Sequence, residues 1–161
     1  MSEEARQQLA RLQAQLVGAL VEGTTAPADF DGSRLAAAAE ALISKRARAV
    51  ARAWPQLARV FGDEFAASFA SYARAHRLPC DASPMADGRA FIAWLDGEGR
   101  LTDEARLEAF AFDARYRVRN AQITPRRGPS LRILRLSVQR RLIVVIRLPF
   151  VGERWLTTDI L

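Results

Sequence analysis

Two hydrophobic rhythms divide the chain. Through the first hundred residues apolar side chains recur every three or four positions, the spacing of one helix face. Leu9, Leu12, Leu16 and Leu20 mark a first helix over residues 3–21, which Gly23 and the Thr24–Pro27 stretch end. Ala26 to Gly32 reads as a loop, after which Asp31 or Ser33 can cap a second helix running through the alanines to about Ala53. Pro55 suits the first turn of a short third helix, where the donor it lacks has no helical use. Gly62 punctuates, and Asp63 and Glu64 open a fourth helix that lasts to about His76. Leu78 to Pro84 is a loop with two prolines, and Met85 to Leu95 a fifth helix closed by Asp96-Gly97-Glu98-Gly99. Thr102-Asp103-Glu104 then starts a sixth helix, with acids where they complement the helix dipole, reaching roughly Arg117.

Past Arg126-Arg127-Gly128-Pro129 the rhythm becomes two. Leu134, Leu136 and Val138 alternate with Arg135 and Ser137. Leu142, Val144, Ile146 and Leu148 form one face of a run whose other face holds Ile143 and Val145. A strand apolar on both sides is usually covered on both sides. Gln139-Arg140-Arg141 is the tight link between the two runs, and Glu153 to Ile160 adds a third strand. The pattern predicts an α+β chain: a mostly helical bundle over residues 1–98, then one helix packed on a small antiparallel sheet over residues 99–161.

Composition sharpens this picture only a little. A chain of 161 residues, half of them hydrophobic, suits one compact domain or two small ones sharing a core. The net charge of +6 is carried by arginine, with Lys45 the only lysine, and favours an anionic partner: nucleic acid, a membrane surface or an acidic peptide. No stretch approaches the roughly 20 apolar residues of a membrane span, and the acidic Met-Ser-Glu-Glu start predicts no signal peptide, so a cytoplasmic protein with no membrane partner is expected. The single cysteine, Cys80, permits no internal disulfide.

Candidate chemistry is sparse. His76 is the one imidazole, and Cys80 and Asp81 follow it across a proline loop without recognisable ligand spacing. Cys80 as a nucleophile would need a base beside it. Asp63-Glu64 and Asp103-Glu104 sit where helix starts are expected, which capping explains. No phosphate-binding glycine loop, Gly-x-Ser-x-Gly elbow or His-Glu-x-x-His is present. Independent catalysis, a bound metal and a resident cofactor are therefore not expected. Lys45, Arg48 and Arg52 share one side of the second helix, either as a solvated face opposite Leu35, Leu42 and Val50 or as a nonspecific phosphate grip. Arg46 falls near the apolar face and is expected to be partly buried and paired with Asp63 or Glu64. Trp54, Phe61, Phe65, Phe69, Tyr72, Phe91 and Trp94 read as core. The sheet offers an edge that can accept an extended peptide as an added strand. Arginines at 132, 135, 140, 141 and 147 either guard that edge against random pairing or favour an acidic guest.

The order Lys45-Arg46, Trp54-Pro55, Phe61-Gly62-Asp63, Phe65, Phe69, Tyr72 and His76, then Gly88, Phe91, Trp94-Leu95 and Asp103 to Glu108, resembles a helical bacterial family that carries a DNA-binding-domain label. Its understood members are partner subunits of multinuclear non-heme iron-dependent oxidases, as in methanobactin biosynthesis. The resemblance covers about residues 9–108; the His-Pro pair common in the family is broken here into His76-Arg77-Leu78-Pro79. It implies a non-catalytic subunit that binds such an oxidase and presents a ribosomally made precursor peptide, the iron belonging to the partner. On this reading Arg132, Ile133, Leu134, Arg135 and Leu136 form the peptide edge with Arg147 as charge support, and Trp54, Phe150 and Trp155 anchor the partner. The alternative is a DNA-binding regulator, which needs a recognition helix with exposed polar side chains. The alanine- and aromatic-rich second and fourth helices do not suit that role.

Overall fold

The computed structural model describes residues 2–22, 31–76, 82–136, 140–148 and 152–159. It is an α+β fold whose elements run α1 (Glu3–Glu22), α2 (Gly32–Ala53), α3 (Pro55–Phe61), α4 (Glu64–Ala75), α5 (Pro84–Gly97), α6 (Asp103–Arg115), β1 (Tyr116–Arg119), β2 (Gln122–Pro125), β3 (Ser130–Leu136), β4 (Arg141–Leu148) and β5 (Gly152–Asp159). The helix starts follow the capping residues. Asp31 accepts the Ser33 amide at 2.9 Å, Ser83 that of Ala86 at 3.2 Å, and Thr102 that of Ala105 at 3.4 Å. No side chain of its own caps α3. Glu108 of α6 does so instead, accepting the amides of Gln56 at 3.2 Å and Leu57 at 2.8 Å. A carboxylate there answers both the orphan donors and the positive end of the helix dipole.

The sixth helix stops at Arg115, two residues short of the expected end, because Tyr116 takes an extended backbone and opens a hairpin that the hydrophobic pattern did not announce. Asn120 and Ala121 turn that hairpin with φ of 49° and 60°. Both central residues are left-handed, the arrangement that matches strand twist and usually recruits Asn-Gly.

Among the described residues two clusters make the interior. The larger gathers Val50, Trp54, Leu57, Phe65, Phe69, Tyr72, Phe91, Ile92 and Leu95 with Ala105, Ala109 and Phe112 of α6. Phe91 is its hub, edge-on to Phe69 at 5.2 Å and to Phe65 at 5.9 Å, a geometry that aligns ring edges with ring faces. Phe61 and Trp94, also expected in the core, are partly buried against it. The smaller cluster joins Phe110 and Ala114 of α6 to Leu136, Ile143 and Val145 of the sheet, so α6 serves both. By contrast Leu9 and Leu12, on the apolar side of α1, are exposed.

Arg46 is half-buried, as expected, but its partner is Asp87 rather than Asp63 or Glu64. Nε donates to Oδ2 at 3.1 Å and Nη2 to Oδ1 at 3.0 Å. Packing of α2 on α5 brings together two residues that lie 41 positions apart. One residue on, Gly88 lets the Trp54 indole lie against the α5 backbone, and a Cβ there would meet the ring at 2.2 Å. Gly88→Ala is expected to lower unfolding free energy by about 1–3 kcal/mol, the usual range for overpacking. Urea denaturation reads it, and an unchanged midpoint would mean that the indole can step aside.

Candidate functional site

The surfaces with functional potential lie around the carboxy-terminal sheet, whose strand order is β3-β4-β5 with antiparallel neighbours. Opposite residues in register share a face. On the inner face Leu134 meets Ile143, and Arg132 meets Val145, which in turn meets Trp155; this face packs on α6. On the outer face three rows form: Leu131, Ile146 and Arg154; Ile133, Val144 and Leu156; Arg135, Leu142 and Thr158. Leu131, Ile133 and Leu156 are 63%, 60% and 57% exposed. Thus β4 is apolar on both faces while only the inner face is covered within the described residues.

Among the described residues β3 is also an edge strand, and its free side borders α5 and α6. Asp113 of α6 organises the charges here. It receives Arg89 through two bonds of 2.9 Å and Arg132 at 3.3 Å. The hydrogen bond to Asp113 holds the Arg89 pKa above its ordinary value, against the opposing effect of burial. Arg126 donates Nε to the carbonyls of Asp113 and Tyr116 at 2.7 and 3.1 Å, where α6 hands over to β1. Loss of hydration, with Arg117 and Arg132 nearby, pushes its pKa down.

The residues singled out from the sequence are placed unevenly. Ile133 and Arg135 are exposed on the outer face, and Arg132 lies half-buried on the inner one with its guanidinium 5.8 Å from the Phe110 ring. Leu134 packs against the smaller core, and Leu136 is 1% exposed, so Leu136 belongs to the interior and cannot contact a guest with its side chain. Arg147 does not reach the free edge either. It sits on the inner face opposite Ser130, gives Nη1 to the Arg115 carbonyl at 3.3 Å, and approaches Glu153 at 4.0 Å. Trp54 is no partner anchor: it is 1% exposed, donates its indole N–H to the Met85 carbonyl at 3.1 Å and packs on Phe112. Trp155 is 39% exposed and edge-on to Phe110 at 6.0 Å, on the helix side of the sheet. Phe150, Cys80 and Asp81 lie outside the described residues. His76 ends α4, stacked on Tyr72 at 4.7 Å with Nδ1 2.9 Å from the Tyr72 carbonyl. Among the described residues no group of three or more His, Cys, Asp or Glu could hold a metal ion, and no helix is long and apolar enough to cross a membrane.

Residues 10–97 match the family model described as SCO6045-like, C-terminal domain. The chain belongs to that family. The SCO6045-like segment takes in most of α1 and all of α2 to α5, and stops before α6 and the sheet. A UPF0276 protein of Streptomyces avermitilis is 36% identical over 137 residues, which are 84% of this chain. Such coverage carries the similarity past residue 97 into the α6–sheet region. The chain spans only 27% of that relative's length. No solved structure matches.

Proposed function

We propose that this chain is a non-catalytic accessory domain. It docks on a multinuclear non-heme iron oxidase through the outer face of the β3–β5 sheet and presents a ribosomally synthesised precursor peptide, held as an added strand on the free edge of β3. The observation that carries this reading is the second apolar face of the sheet, where Leu131, Ile133 and Leu156 stand more than half exposed beside Val144 and Ile146. Contiguous apolar surface of this kind marks an interaction site, and nothing among the described residues covers it. Arg135 and Arg154 border the patch, which suits a partner surface with acidic residues around an apolar centre.

The Streptomyces relative supports the same reading. Only 27% of that protein is matched, so a domain of this type is there joined to a larger segment. Covalent linkage is the arrangement expected of two bodies that work in contact. The iron and its ligands belong, on this reading, to the partner, and the complex works in the cytoplasm. Co-expression with an iron oxidase encoded by a neighbouring gene tests the proposal. One co-eluting species on gel filtration is expected, and two species that elute independently contradict it.

A further inference from the structure

Between α5, α6 and the free edge of β3 lies a groove of about 430 Å³. Ile92 and Phe110 give it an apolar base, and its charged lining consists of Arg89, Arg106 and Arg132 with Asp96 and Asp113. Three guanidinium groups against two carboxylates leave one positive charge in excess. The acids are already engaged: Asp113 by Arg89 and Arg132, and Asp96 by Arg106 Nη2 at 2.9 Å. After those bonds, Nε of Arg106 and Nε of Arg132 are buried without a hydrogen-bond partner among the described residues. A buried donor left unpaired is unfavourable, and the more so on a cation. Here both unpaired donors belong to side chains that line the same groove, each still about a third exposed.

We propose that this groove is a carboxylate site, which takes the side chain of one aspartate or glutamate from a segment lying along β3, with Arg106 and Arg132 as donors. The inference rests on the reading of β3 as a peptide edge and adds a demand on the guest's sequence. A carboxylate is planar and matches the guanidinium fork. Its single negative charge equals the excess in the lining, whereas a phosphate dianion overshoots it. A neutral amide of the same shape offers an acceptor but no charge.

The test uses the full chain with ¹⁵N-labelled arginine side chains and three probes: a blocked pentapeptide acetyl-Val-Thr-Glu-Val-Thr-amide, its Gln counterpart, and acetate alone. The Glu peptide is expected to bind at least tenfold more tightly than the Gln peptide and to shift the Nε–H resonances of Arg106 and Arg132. The advantage should vanish in Arg106→Gln, which removes a partner only of the exposed Asp96, and shrink in Arg132→Lys. Acetate shifting the same two resonances as strongly as the peptide supports the site with a free carboxylate as its source. Shifts confined to the Glu peptide support a side-chain source. Equal binding of the Glu and Gln peptides with movement of β3 amides overturns the carboxylate site while leaving the peptide edge standing. Unmoved Nε–H signals with all three probes overturn it as well.

Discussion

Replacing Asp87 by alanine is expected to remove about 3–5 kcal/mol of folding free energy, the cost of breaking a buried ion pair from one side. The Asp87 side chain is 1% exposed and ties together three elements. It receives two bonds from Arg46 of α2 and the Tyr72 hydroxyl of α4 at 3.3 Å, while itself belonging to α5. Without it the Arg46 guanidinium stays 5.6 Å from the Phe69 ring with no counter-ion in the pair. The Tyr72 hydroxyl cannot escape by ionising. Burial, reinforced by the negative charge of Asp87, already raises its pKa well above the ordinary phenol value, and the burial remains after the substitution. Small domains hold only about 5–15 kcal/mol in all, so the variant should lose much of its margin in guanidinium unfolding. Asp87→Asn keeps an acceptor for Tyr72 and should lose clearly less. Equal losses in the two variants would mean that the charge, which both remove, carries the whole effect and that the acceptor for Tyr72 adds nothing. The effect reaches the candidate site, because Arg89, Ile92 and Asp96 follow Asp87 on the same helix and line the groove.

The second large effect concerns association. The double substitution Leu131→Asp with Ile133→Asp is expected to weaken the proposed complex with an iron oxidase at least a hundredfold. Burying a Leu or Ile side chain contributes about 1.5–3 kcal/mol, and every 1.4 kcal/mol is about tenfold in affinity. Two such anchors lost, with two carboxylates forced into an apolar contact, comfortably exceed that threshold. The free chain should barely notice, since both side chains are more than half exposed and strand preference on an edge costs at most about 1 kcal/mol. Isothermal titration beside a thermal melt separates the two effects. Retained affinity in a folded double variant would remove the outer face from the interface.

The helices and the three-stranded sheet were legible because their signals are local. A period of three to four with Asp31 or Thr102 at the start is readable residue by residue, and so is the alternation from Leu142 to Leu148. The β1–β2 hairpin was missed because its turn is Asn120-Ala121. Alanine does not advertise the left-handed backbone that glycine would. The alternation of Tyr116 and Val118 with Arg117 and Arg119 was the available hint.

What depended on tertiary packing could not be read. Arg46 was matched to Asp63 or Glu64, the next acids after it along the chain, whereas the crossing of α2 over α5 gives it Asp87. Leu136 and Leu134 sit in a strand of the expected kind, yet which alternate set turns inward depends on where α6 lies. The groove draws its arginines and acids from α5, α6 and β3, so no single motif contains it. The doubly apolar character of β4 was plain from the residues. Only the fold shows which of its two faces stays open.

Hydroxyl-radical footprinting of Leu131, Ile133 and Leu156 in the free chain and in the co-purified pair measures that open face directly. All three should oxidise readily in the free chain and become protected in the complex, while the inward Leu136 stays unreactive in both. Equal labelling of the three in both states would contradict the docking face at the root of this reading.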